Sequence, residues 1–146
     1  MRDIRFRAWN KSNKLMGIIK SFFGCSDGDF THATLIYKDK PKQNIGINHL
    51  EIMQFTGLTD RNGVDMYESD VAKGCLNGGV YVVKHGDWIN ADVDPDYGDN
   101  LCYGWYLERI PCGTCESIRD SCRTLTLIGN IHQHPHLIKG NEPCQT

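Results

Sequence analysis

No apolar run in this 146-residue sequence approaches the ~18–20 consecutive residues that a membrane-crossing helix needs. Excess charge of either sign is missing too. Lys and Arg number 16 against 18 Asp and Glu, a formal charge of -2. That balance removes the global electrostatic signature of a DNA- or RNA-binding protein, and equally that of an acidic nucleic-acid mimic. Capped apolar stripes of 3.6-residue period are absent, so long amphipathic helices are not expected. There is no internal repeat and no low-complexity linker. No Gly-rich phosphate loop, Ser/His/Asp order or paired-carboxylate cleft stands out, so no enzymatic activity is expected. The start, Met1-Arg2-Asp3-Ile4-Arg5-Phe6-Arg7, alternates charge with apolar groups and lacks the continuous apolar core of a signal peptide. The expected location is the cytoplasm.

What the chain does contain is an ordinary globular composition, 40% hydrophobic and 23% charged. Its length suits one compact unit over 1–146. Short β-patterned runs fill it. Residues 4–9 alternate apolar and cationic groups, predicting a strand that buries Ile4, Phe6 and Ala8. After the turn residues 10–14, Leu15–Ile19 returns as its partner. Ala33–Tyr37 and His49–Thr56 read as further strands. Asn62-Gly63 is turn chemistry suited to positive φ at adjacent residues. Val80–His85, Trp105–Ile110 and Leu125–Ile131 complete the set. Many short strands predict a mainly β fold, a short-stranded sheet plus a small SH3-like barrel. A break near Gly57 would divide the unit into a sheet over 1–56 and a barrel over 57–146 carrying a Cys-rich insertion.

Three blocks carry a family resemblance. They are Ile4–Asn10 (IRFRAWN), Met53–Val71 (MQFTGLTDRNGVDMYESDV) and Leu127–His132 (LIGNIH). In this order they resemble the YopX family of small proteins encoded by phages, prophages and plasmids. That resemblance implies a β-rich fold and a mobile-element origin, and no catalytic residues. The chain departs from the family pattern at Ser69, where the family usually has Gly, in the Cys-rich segment and at the His-rich end. Physically, Tyr67 and Val71 can pack inward around the 68–70 corner while Asp70 accepts backbone N–H groups.

Among residues that could carry chemistry, the cysteines come first. There are seven, an odd number, which argues against a fully paired disulfide framework. Cys112-Gly113-Thr114-Cys115 has the spacing of a zinc knuckle. Cys122 follows, with Cys102 upstream and His132 downstream, a possible structural zinc set; reduced loop thiols are the alternative. His132, His134 and His136 would share a face on an extended strand, but Pro135 favours a surface turn. The acidic run from Asp92 to Asn100 imitates a calcium loop. Its Gly comes one place late and Tyr103 stands where Glu is needed.

Two binding surfaces can be read. Trp88, Asp92, Asp94, Asp96, Tyr97, Tyr103 and Trp105 combine aromatic anchors with a charged rim, suited to a host protein. Arg5, Arg7, Trp9 and Lys11 alternate cations with an aromatic on the first strand, suited to nucleic acid or a signalling nucleotide. The leading expectation is a non-enzymatic phage accessory protein that binds and inhibits a host protein, such as a defence component. The nucleic-acid or nucleotide binder is the alternative. Exposed sheet edges leave room for a homo-oligomer.

Overall fold

The computed structural model describes residues 3–90, 94, 96 and 100–139. The chain divides into two units, residues 1–55 and 56–146. In the first, β1 (Phe6–Asn10), β2 (Leu15–Phe23), β3 (His32–Ile36), β4 (Gln43–Gly46) and the first part of β5 (Leu50–Thr59) form an antiparallel sheet of order β4-β3-β2-β1-β5. Ala8, Ala33, Leu35, Tyr37 and Leu50 make its core. Gly17 is required there by close approach, because a Cβ would stand 3.1 Å from Leu35 Cδ2 and 3.2 Å from Tyr37 Cε1.

The period-two pattern of the first strand holds from Phe6 onward. Ile4, expected to be buried, precedes the strand and is 61% exposed. Asn10, at the start of the expected turn residues, is instead the fully buried end of β1. Its Nδ2 donates to Tyr37 Oη at 3.0 Å, and its Oδ1 accepts Ser12 N–H at 3.0 Å. The side chain thereby supplies a local partner at the strand end, as short amides do in turns.

The second unit begins within β5, whose end lies beside β6 (Asp65–Tyr67). Then follow β7 (Asp70–Gly74), β8 (Val80–Ile89), β9 (Leu101–Ile110), β10 (Cys115–Ser117), the short helix α1 (Ile118–Ser121) and β11 (Leu125–Asn130). Their antiparallel sheet has the order β10-β9-β8-β7-β11. Met66, Ala72, Tyr81, Val83, Leu107, Ile118, Cys122 and Leu125 form its core. The fold is mainly β, as expected. Among the described residues the sheet is open, with β10 and β11 at its edges, and no closed barrel forms.

Buried polar side chains hold this unit's turns. Asp60 is 5% exposed. Its Oδ1 accepts Asn62 N–H at 2.8 Å and Val64 N–H at 3.0 Å, and its Oδ2 accepts Leu127 N–H at 3.0 Å. Only Gly63 in that turn has positive φ, +79°. Asn62 does not, contrary to the two-residue expectation, because Asp60 wraps the backbone around its carboxylate. At the next corner Asp70 Oδ2 accepts Tyr67 N–H at 2.8 Å, with Tyr67 and Val71 buried beside it, as the corner chemistry predicted. Asn130 Oδ1 accepts His132 and Gln133 N–H.

Candidate functional site

The β8–β9 pair positions the candidate partner surface. β7 pairs with β8 only over Val80–Val82, and β10 pairs with β9 only over Tyr106–Glu108. His85–Ile89 and Leu101–Trp105 pair with each other in a two-stranded ribbon that runs past the sheet. Gly86 and Gly104 face one another across it, at φ +141° and +129°, a backbone state that side chains rarely adopt. There the ribbon bends. Trp88 lies four register steps from Tyr106, about 13 Å along a straight strand. Yet their rings stack at 5.8 Å and 18°. The bend also brings Asn90 into a bridge with Cys115 on β10.

Bending gives the ribbon a concave and a convex face. Trp88 falls on the concave face and is 8% exposed, so this expected anchor packs against Tyr106 and is not offered to a partner. The convex face carries His85 and Asp87 opposite Trp105 and Tyr103. Tyr103 is 76% exposed. His85 sits edge-on to Tyr103 at 5.3 Å and to Trp105 at 4.6 Å. Trp105 is half-buried, packs against the core, and its ring N–H has no acceptor among the described residues. Ile89 and Leu101, at 59% and 57% exposure, add apolar surface near the ribbon's end. Asp94 and Asp96 are exposed, with Asp94 Oδ1 accepting Asp96 N–H. Asp92 and Tyr97 lie outside the described residues.

The expected zinc set is not brought together. Among the described residues no three His, Cys, Asp or Glu side chains converge as a metal site. Cys112 is disulfide-bonded. Cys122 is buried in the core with its thiol directed to Arg119 O. Burial, and then the Glu108 carboxylate, push the Cys115 thiol upward, which favours the protonated form over the thiolate a metal takes. Cys102 sits on β9 opposite Trp88, and His132 lies in the turn after β11.

The nucleic-acid footprint is engaged within its own unit. Arg5 lies 4.1 Å over the Phe55 ring and 3.0 Å from Asp3. Lys11 is 3.7 Å from Glu51. Arg7 and Trp9 are half-buried on β1.

Sequence reasoning missed one group. Arg61, in the Asp60 turn, donates from Nη1 to Cys75 Sγ at 3.0 Å, and Thr126 Oγ1 lies 3.6 Å from the same sulfur. Thr126 and then Arg61 hold this exposed thiol below the ordinary cysteine range. No spacing in the sequence signals it, since β7 and β11 bring together residues about fifty positions apart.

A family model described as YopX protein matches residues 5–139. Among solved structures, the chain is similar to the crystal structure of protein EF1440 from Enterococcus faecalis. Identity is 21% and the TM-score 0.60, covering 95% of this chain and 100% of that one. At that identity the likeness speaks for the fold alone. No curated protein matches the chain.

Proposed function

The chain belongs to the YopX family, and from that premise we propose that it is a non-enzymatic accessory protein of a phage or related mobile element, binding and inhibiting a host protein in the host cytoplasm. The observation that carries this reading is the convex face of the β8–β9 ribbon. A Tyr that is 76% exposed stands beside His85 and Trp105, with Ile89 and Leu101 near the ribbon's end. A monomer gains nothing in stability from leaving such a group in water, whereas Tyr and Trp are the residues that anchor interfaces. Asp87, Asp94 and Asp96 supply an acidic surround suited to a basic partner face. The small-barrel reading of the second unit belongs to the same proposal. It is supported by the Gly86–Gly104 bend and the Asn90–Cys115 bridge, which turn the ribbon toward β10.

The test compares wild-type and Tyr103→Glu protein as bait in host lysate, followed by native mass measurement of the recovered complex. A stoichiometric partner held by the wild type and lost by the variant is expected. A partner retained equally by the variant would remove the ribbon from the interface. A monomer with no partner, able to turn over a substrate alone, would overturn the whole reading.

A further inference from the structure

The turn from Gly57 to Arg61 and the Cys122–Arg123 step after α1 enclose an open cleft of about 350 Å³ in the second unit. Its lining is small, Gly57 to Arg61 with Cys122 and Arg123. Two of these residues are arginines. Among the described residues neither guanidinium has a carboxylate within ion-pair distance, and Arg123 is exposed. The single carboxylate in the lining, Asp60, already accepts three backbone N–H groups and is almost wholly buried. Leu58 supplies an apolar patch and Thr59 an exposed polar side chain.

Two arginines beside one small cleft, neither in an ion pair and only Arg61 with a carboxylate, that of Asp60, near enough to feel its charge, match the chemistry of an oxyanion with several acceptor oxygens. A guanidinium gives phosphate paired, charge-assisted hydrogen bonds that ammonium groups cannot reproduce. The volume is that of a small-molecule site, and too small for a folded partner. We propose that this cleft binds a small phosphate monoester, with Arg61 and Arg123 as its cationic walls. This site is separate from the ribbon face and does not depend on the host-protein reading.

Cys75 makes the site legible. Arg61, a residue of the cleft lining, donates from its guanidinium to Cys75 Sγ at 3.0 Å and helps hold that thiol toward its thiolate form. A phosphate that engages Arg61 competes with the sulfur for the same positive charge. Thiolate is the reactive form, so occupation of the cleft slows alkylation at Cys75.

The experiment uses the full chain with inorganic phosphate, adenosine monophosphate and a single-stranded oligonucleotide as probes. Binding is followed by calorimetry, and the alkylation rate at Cys75 by peptide mass spectrometry. Saturable binding of phosphate or the monophosphate is expected, weakened at least tenfold by Arg123→Gln and accompanied by a several-fold slower reaction at Cys75. Arg123 is exposed with no described ion pair, so the variant should fold as the parent does, and its thermal midpoint serves as the control. Binding that Arg123→Gln leaves unchanged, or an unaltered Cys75 rate at saturation, would overturn the assignment. So would binding of the oligonucleotide without binding of either small anion.

Discussion

The turns of the second unit and its β8–β9 ribbon are built on opposite principles. Around Asp60, Asp70 and Asn130, buried side-chain oxygens accept backbone N–H groups that a tight turn would otherwise leave without partners. These three side chains look inward. Along the ribbon the strands run past their neighbours, bend on a pair of glycines and leave Tyr103, Ile89 and Leu101 in solvent. Asp60 and Asp70 fall in the central block of the family resemblance, and Asn130 falls in the end block. The ribbon lies outside all three blocks. Shared sequence therefore marks what holds the fold, and the surface best suited to a partner is carried by a segment the resemblance does not describe.

The sharpest way to break this contrast is to remove the Asp60 carboxylate. Asp60→Ala leaves three backbone N–H groups without their acceptor in a site that is 5% exposed. Hydrogen bonds to a charged group and the desolvation of orphaned donors together predict a loss of about 3 kcal/mol. Urea unfolding with an unchanged m-value is the measurement. A loss below about 0.5 kcal/mol would make the turn an ordinary surface feature. Acid gives the same result without mutation. Burial pulls the Asp60 carboxyl up, but the N–H groups of Leu127, Val64 and Asn62, with Arg61's charge, outweigh it and hold the group below the usual aspartate value. Its folded pKa is thus lower than its unfolded one. Its contribution is complete above the unfolded pKa near 4 and is lost as pH falls through the folded value. The urea midpoint should fall on acidification below that point, and less steeply in Asp60→Asn.

Straightening the ribbon should have a smaller effect on stability and a larger one on shape. Gly104→Val places a β-branched side chain at φ +129°, where strain of roughly 1–3 kcal/mol is expected. No heavy atom lies within 4 Å of the added Cβ, so the cost is backbone strain and not collision. Relief of that strain would separate Trp88 from Tyr106, and the Trp88 ring signals in NMR spectra should move away from their ring-shifted positions. Unchanged Trp88 signals would show that the glycine pair does not set the bend.

The strands were legible because a pleated surface imposes alternation, seen in Phe6-Arg7-Ala8, and favours β-branched and aromatic residues, seen in Val80–Val83. The 68–70 corner was legible because its chemistry is local. The bend was not, since the role of Gly86 depends on meeting Gly104, eighteen positions away, in register. Trp88 was misplaced for the same reason: which face of a ribbon is concave cannot be read from one strand. The cysteines illustrate a limit of spacing. Cys112 and Cys115 are close in sequence, but one is disulfide-bonded and the other half-buried beside Glu108. The cleft arginines offered no pattern at all, because Arg61 and Arg123 line one cleft from two segments far apart in the chain.

The smallest expected change lies at Ser69, and it tests whether the inward-looking turns serve stability alone. Ser69 has φ +70°, left-handed backbone in which a Cβ crowds the following carbonyl. Its N–H donates to Val83 O and its carbonyl accepts Ile131 N–H, so the corner is fixed and Ser69 cannot relax to negative φ. Glycine adopts that conformation without strain, though it loses more chain entropy on folding. The two terms leave a net gain of roughly 0.5–1 kcal/mol for Ser69→Gly. A thermal midpoint higher by a few degrees, with partner capture through Tyr103 unchanged, is the expected result. If the variant gained stability and lost the partner, the corner would belong to the interface, and the division between holding turns and a presenting ribbon would fail.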